Sequence, residues 1–377
     1  MVLTGLSILL LGACMLYLIL TLMLVKGLKV LKAEFNPNKE LLDHAETALT
    51  ILVAHFNDSE KIPTLLSSLE AQTFSLPFTL CIIDDNSTIA HLEPLELYLE
   101  QSSIKSILMH NEGVPGKKKA LSQAIGKLPS SFIIQLDADV ALDPNFLQEL
   151  MDKRKLYKAD MLLALVKMRP QKNFISHFAA FEFLSLQMSG LALAALKRPI
   201  MANGAAMAYT SEIWSRFKKV GEDWSSGDDS FLVQAAAKDK SLKIATLTEA
   251  SVSTDAPNSW KEFFNQRIRW GAKAVAYPSI FAQYIALTVA FFNLSLVFSL
   301  ITALVFSWAS LPIVLSFFLL KAIIDYPLLR SFAKKTGQEK LVEKYMRSAL
   351  FYPFYISVSI IFIILPTKKR WKGRVYH

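Results

Sequence analysis

Residues 131–139 read SFIIQLDAD, an apolar run that stops at two aspartates, Asp137 and Asp139, set one residue apart. A short apolar run bounded by polar residues is the pattern of a strand buried on both faces. Three upstream segments repeat it. TILVAHF (50–56) ends at Asn57-Asp58-Ser59-Glu60, TLCII (79–83) ends at Asp84-Asp85-Asn86-Ser87, and residues 104–109 run into a Gly- and Lys-rich loop. Helical patterns lie between them. Residues 62–72 put Leu65, Leu66 and Leu69 on one face, and a second helix is expected from about Lys119 to Ile125. Strands alternating with helices predict an α/β fold with an open, largely parallel sheet, in which ligands bind beyond the carboxyl ends of the strands. The acids stand at those ends.

The rest of the chain has another character. Of its 377 residues 53% are hydrophobic, and three long stretches carry no charge: 1–25, 274–320 and 348–367. A membrane-spanning helix needs about 20 apolar residues, so each stretch qualifies and the middle one is long enough for two helices. Buried core helices of that length nearly always show a polar face. The first run lacks a basic leader and a cleavage site, so it reads as an uncleaved anchor. Lys26, Lys29 and Lys32 follow it directly. Positive flanks stay in the cytoplasm, which predicts a cytoplasmic segment from about Gly27 to Lys273. The expected layout is therefore an anchor at 1–25, an α/β domain at 45–273, a membrane region of about three helices at 274–367 and a basic tail at 368–377. The net charge of +9 gathers near membrane boundaries, most densely at Lys368, Lys369, Arg370, Lys372 and Arg374. A basic tail there meets anionic headgroups or only fixes topology; no nucleic-acid partner is expected. Three simple crossings after a cytoplasmic domain would leave this tail outside, against the positive-inside rule, unless the last run, which contains Pro353, is interfacial or re-entrant. Cys14 and Cys81 suggest neither a disulfide nor a metal site.

Several constellations carry chemistry. Asp137 and Asp139, at a strand end, can both approach one hard cation, Mg²⁺ or Mn²⁺, which prefers oxygen ligands and shares carboxylates with substrate phosphates. A D-x-D triplet is common by chance, and its place after a buried strand is what gives it weight. Asp84-Asp85 is a second pair, able to accept from a nucleobase N–H or a ribose hydroxyl, with helix capping by Asn86 or Ser87 as a compatible alternative. Residues 113–119 (GVPGKKK), including Lys117, form a basic loop that suits phosphate or simply solvent. The loop lacks the spacing of a P-loop. Asp228-Asp229, after Gly227, offers a general base or a helix cap. Gln266, Arg269 and Trp270 fall at i, i+3 and i+4 on one helical face, suited to diphosphate and sugar or to a membrane interface. Lys321 and Asp325, near an expected helix end, are the only candidates for an ion path in the apolar runs.

Taken together, these residues resemble the processive-type family-2 glycosyltransferases, the inverting group of cellulose, chitin and hyaluronan synthases and ceramide glucosyltransferases. Their pattern is three separated aspartate motifs followed by Q-x-x-R-W; here Asp84-Asp85, Asp137-Ala138-Asp139 and Gly227-Asp228-Asp229 precede Gln266-Arg267-Ile268-Arg269-Trp270. Residues 53–58 (VAHFND), with Asn57, resemble the family's opening P-x-Y-N-E segment, and 203–208 (NGAAMA) its glycine stretch. Ala54 and Asp228 stand where the family commonly has Pro and Glu. The resemblance covers about 50–270.

It implies a GT-A, nucleotide-sugar-binding, Rossmann-like domain beside one N-terminal and about three C-terminal membrane helices. The donor would be a UDP- or GDP-sugar with Mg²⁺ or Mn²⁺ on Asp139, and the acceptor a membrane lipid. Asp85 would meet the nucleobase, Asp229 would be the base, and Gln266, Arg269 and Trp270 would hold the diphosphate and acceptor. The implied location is a bacterial-type inner or plasma membrane. Alternatives are a processive polysaccharide synthase, a sugar-phosphate nucleotidyltransferase, or a non-enzymatic transporter or scaffold with an α/β domain.

Overall fold

The computed structural model describes residues 2–33, 49–129, 131–224, 227–365, 369–371 and 374–376. After the first helix, α1 (Val2–Ala33), the chain alternates: β1 (Leu49–His55), α2 (Ile62–Glu70), β2 (Phe78–Asp84), α3 (Ile89–Gln101), β3 (Ser106–His110), α4 (Lys117–Lys127) and β4 (Phe132–Asp137). There follow β5 (Ala141–Leu142), α5 (Phe146–Tyr157), β6 (Met161–Arg169), α6 (Phe174–Ala195), β7 (Ala206–Thr210), α7 (Ser211–Phe217), α8 (Asp228–Ala236), β8 (Ile244–Asp255) and α9 (Trp260–Gly271). The C-terminal part holds α10 (Ile280–Phe306), α11 (Leu311–Lys335), α12 (Glu339–Val342), α13 (Tyr345–Ile364) and the short hairpin β9 (Lys369–Trp371) and β10 (Arg374–Tyr376). Lys368 and Lys372 of the basic tail, and the expected domain start at 45, lie outside the described residues.

Eight strands form one sheet in the order β3-β2-β1-β4-β7-β6-β8-β5. The four expected strands form its parallel half, β3 to β4, with Leu52 facing Cys81 on one side and Gln135 on the other. In the other half β6 and β8 are again parallel, but antiparallel pairs make the sheet mixed where a largely parallel one was expected. β7 runs antiparallel to both β4 and β6, and β5 antiparallel to β8. The reason lies in α6, which takes the chain out from the end of β6; residues 196–205 bring it back to the same end, so β7 enters head-on to β6. This return places the segment around Gly204 beside the carboxyl ends of β1 and β4.

Among the described residues five helices are long and apolar enough to cross a membrane by length and composition: α1, α6, α10, α13 and the segment Trp308–Lys335, which contains α11. The uncharged run 274–320 divides into α10 and α11, as its length predicts. α6 was not anticipated, because Glu182 interrupts its apolar sequence, and unlike the others it is mostly buried. It packs on β6 and against α1, α9 and α11. At the α1–α6 crossing a Cβ on Gly27 would lie 2.2 Å from the Ala192 carbonyl oxygen, so only glycine allows the two backbones this close.

α1, α10 and α11 pack on one another through Leu10, Ala13, Cys14, Phe292, Leu296, Val314 and Phe317. Their outer faces display large apolar side chains such as Ile8, Leu22, Leu287 and Ile323. Lys321 and Asp325 are not near a helix end. They lie in the interior of α11, joined to each other at 2.6 Å and to the Tyr17 hydroxyl of α1.

Candidate functional site

Every acid motif reaches the same edge of the sheet because each ends a parallel strand or opens the helix beside it. At the end of β2 the two carboxylates divide their work. Asp84 turns inward, 3.0 Å from His55 Nδ1, and accepts the Ser87 amide at 3.0 Å. Burial pushes its carboxyl up, but the contacts with His55 and Ser87 outweigh it and hold the group below the usual range. Asp85 faces a cavity and accepts the Gly116 amide at 2.9 Å and Asn111 Nδ2 at 2.7 Å, which fastens the 113–119 loop over the strand end.

From that loop Lys117, opening α4, sends its ammonium to Asp137 Oδ1 at 2.6 Å and to within 3.8 Å of Asp228 Oδ2. Burial would lower its pKa, but the Asp137 and Asp228 charges win and hold it above the usual lysine range. Asp139, past the end of β4, accepts from Thr254 Oγ1 at 3.0 Å; burial and the neighbouring Asp137 charge push its carboxyl up. A carboxylate beside a second one gains from a cation. Among the described residues no three His, Cys, Asp or Glu side chains group into a metal site. The donor set is thus two carboxylates at most, which fits a hard cation whose remaining positions are filled by other oxygens.

Gly227, at φ +96°, turns the chain into α8, and a Cβ there would meet Lys273 Cδ at 2.8 Å. The turn leaves Asp228 and Asp229 in the first helical turn, where the helix dipole favours negative charge. Asp228 is buried and accepts Gln135 Nε2 at 2.8 Å, and Gln135 in turn accepts from the Tyr209 hydroxyl at 2.7 Å. Burial raises its pKa, yet Lys117 and Gln135 outweigh that and keep it below the usual range. Asp229 is partly exposed to the cavity and accepts the Gly204 amide at 2.9 Å.

On α9, Gln266, Arg269 and Trp270 all line this cavity. Arg267, which also lines it, is anchored: its guanidinium meets Glu182 of α6 at 2.7 Å, with both side chains almost wholly buried, and donates to the Ala179 carbonyl at 3.2 Å. It also stands 4.5 Å from the Trp270 ring centre and donates to Gln266 Oε1. The Tyr355 hydroxyl of α13 completes the cluster on Glu182 at 3.3 Å.

The cavity measures about 990 Å³. One end is lined by Asp85, Asp137, Asp139 and Asp229; the other runs between apolar helices, past Leu24 of α1, Ile285 of α10 and Ile360 of α13.

The family model described as "Glycosyl transferase family 2" matches residues 50–210, and that described as "Glycosyl transferase family group 2" matches 132–329, more than half of the chain. The chain belongs to that family. It is a glycosyltransferase. Among solved structures, the mannosyltransferase PcManGT from Pyrobaculum calidifontis, in complex with GDP-Man and Mn²⁺, shares 14% identity over 97% of this chain and 99% of its own, with a TM-score of 0.59. That likeness in fold covers nearly the whole chain. TarS residues 1–349 from S. aureus, in complex with UDP, shares 16% identity over 87% of this chain and 96% of its own, with a TM-score of 0.40. No curated protein matches the sequence.

The glycosyltransferase brings Asp85, Lys117, Asp137, Asp139, Asp228, Asp229, Gln266, Arg269 and Trp270 to one cavity. Two expected residues take other places. Asp84 is spent on His55 and Ser87, and Asn57, at φ +49°, accepts the Thr88 amide, leaving Phe56 and Asp58 to line the cavity. Two further residues were not singled out from the sequence. Lys273 is buried on the cavity wall, its pKa lowered by burial against the pull of Asp229. In the sequence it reads as a membrane flank. Gln135 had a signal, since it is the one polar residue inside SFIIQL.

Removing one partner of a buried ion pair strands the other charge, which costs about 3–5 kcal/mol. Glu182→Leu should lower the unfolding free energy by that amount, and adding Arg267→Met should restore most of it. Thermal and denaturant unfolding of the detergent-purified variants checks both.

Proposed function

We propose that this glycosyltransferase is embedded in a membrane and transfers one sugar, with inversion, from a UDP- or GDP-sugar to a lipid acceptor. The observation that carries the reading is the single cavity, with strand-end carboxylates at one end and the apolar helices α1, α10 and α13 at the other. A water-soluble acceptor has no use for the second end.

The roles implied by the resemblance are supported by the geometry. Asp85 meets the nucleobase. Asp137 and Asp139 would hold Mg²⁺ or Mn²⁺, which when bound supplies neutralising charge for a nucleoside diphosphate. Lys117, Lys273 and Arg269 add positive charge on the same wall. Asp229 faces the cavity and takes the proton of the acceptor hydroxyl, whereas Asp228 is tied to Gln135. The acceptor oxygen then bonds to the anomeric carbon, the bond from that carbon to the diphosphate breaks on the opposite face, and the configuration inverts. Gln266, Arg269 and Trp270 hold diphosphate and acceptor side by side; Asn57 and Asp84 support the loops around the nucleoside.

The helices also support a topology in which the α/β domain, beginning near residue 45 and ending at Lys273, is cytoplasmic. α1 ends in Lys26, Lys29 and Lys32, and Lys335 at the end of α11 donates to the Leu31 carbonyl at 2.6 Å, which brings both basic ends together. α13 lies beside α9 along its length, from Trp260 against Phe351 to Gly271 against Ile363. An interfacial α13 leaves α1, α10 and α11 as crossings and keeps the basic tail on the cytoplasmic side, which removes the conflict with the positive-inside rule. Three crossings suit a single transfer better than polymer export.

Labelled UDP- and GDP-sugars with Mn²⁺ or Mg²⁺ and extracted lipid should give label that partitions into organic solvent. Asp229→Asn should lose about 10²–10⁴-fold of that transfer while nucleotide binding persists. High-mass insoluble label, or near-normal transfer by Asp229→Asn, would refute the reading. A cysteine placed in the tail at Val375 should react with an impermeant maleimide only after the cytoplasmic side is opened; labelling from outside would overturn the topology.

A further inference from the structure

Lys321, Asp325 and Tyr17 line the same cavity as the catalytic carboxylates, but among the apolar helices rather than at the sheet edge. Lys321 Nζ lies 2.6 Å from Asp325 Oδ2, and the Tyr17 hydroxyl donates to Asp325 Oδ1 at 2.8 Å. The ammonium also lies 4.8 Å from the ring centre of Tyr352 and 5.4 Å from that of Tyr17. Only 6% of the lysine side chain and 17% of the aspartate side chain are exposed.

Such a pair is expensive for what it returns in stability. Desolvating two charges offsets their attraction, and well-packed apolar residues of similar volume often serve the fold as well or better. Ionisable groups within membrane-spanning helices accordingly mark sites of function. Three of the helices that wall the cavity, α1, α11 and α13, contribute a group to this cluster, which a device joining only two helices would not need. It is also a polar cluster in a largely apolar stretch of the cavity, so a ligand group lying there finds hydrogen-bonding partners at these side chains.

We infer that Tyr17, Lys321 and Asp325 form a second acceptor subsite that takes a neutral hydrogen-bonding group, an ester, amide or hydroxyl, carried by the lipid beyond its reacting hydroxyl. This rests on the lipid-acceptor reading. The pair sums to zero charge, which selects the class. An anionic group would face the Asp325 carboxylate, whereas a neutral carbonyl or hydroxyl oxygen takes an ammonium N–H that the single bond to Asp325 leaves over. The tyrosine hydroxyl and the aspartate keep the ammonium aimed instead of letting it snorkel out of the cavity.

The test compares two acceptors, a diacylglycerol, with ester groups next to its hydroxyl, and a long-chain alcohol with no second polar group. Each is offered to the full-length protein and to the double variant Lys321→Met with Asp325→Leu, which removes both charges and so strands neither. The wild type should favour the diacylglycerol by at least tenfold in kcat/KM. The double variant should lose that preference through KM for the diacylglycerol, with transfer to the alcohol and donor hydrolysis in water unchanged. An unchanged preference, or an equal fall on both acceptors, would overturn the inference, the second by assigning the pair a purely structural role. Failure of the wild type to use either lipid while still hydrolysing donor would instead refute the lipid-acceptor reading. A companion variant, Tyr17→Phe, should weaken the preference partially with no loss on the alcohol.

Discussion

The ion pair between Glu182 and Arg267 joins the two halves of this molecule. Glu182 stands on α6, which packs on the sheet through β6 and on the first apolar helix through Gly27. Arg267 stands on α9 between Gln266 and the residues Arg269 and Trp270 that face the cavity. Two charge-assisted contacts from α6 hold the guanidinium and with it the rotation of α9, and the Tyr355 hydroxyl of α13 donates to the same Glu182 carboxylate. Both side chains are buried, so the pair adds little net stability, but losing one member is costly.

Around that joint the site balances charge. Five carboxylates, Asp85, Asp137, Asp139, Asp228 and Asp229, crowd one cavity wall with Lys117 and Lys273 among them. Their surroundings drive the carboxyls apart: Asp228 is held low by Lys117 and Gln135, while Asp139 is raised by burial and by Asp137. Adjacent acids in one helical turn take different places. Asp228 is a fixed member of the wall that orients Lys117, and Asp229 remains open to the cavity.

Much of this was legible in the sequence because it depends on local patterns. β1, β2 and β4 each declare themselves as an apolar run stopped by acids, and the helical spacing of Gln266, Arg269 and Trp270 puts them on one face. What was not legible depends on contacts distant in the chain. The antiparallel entry of β7 follows from the path of α6 and has no signature in residues 206–210. α6 was hidden because its one carboxylate looks like the end of an apolar run until Arg267, 85 residues away, is seen to pair with it. Lys273 reads as a membrane flank and is a cavity residue, and Asp84 reads as a ligand contact and is a loop fastener. The interior position of Lys321 and Asp325 was missed for a related reason: α11 continues past the uncharged run to Lys335, so the end of the run was not the end of the helix.

The most direct test of the single continuous cavity is an experimental map of the protein in lipid nanodiscs with a nucleoside diphosphate and Mn²⁺. The account predicts the nucleotide against Asp85, the metal against Asp139, and rod-shaped lipid density entering between α1, α10 and α13 to end near Asp229. Nucleotide bound elsewhere, or a cavity closed off between Trp270 and the apolar helices with lipid confined to the outer surface, would contradict it.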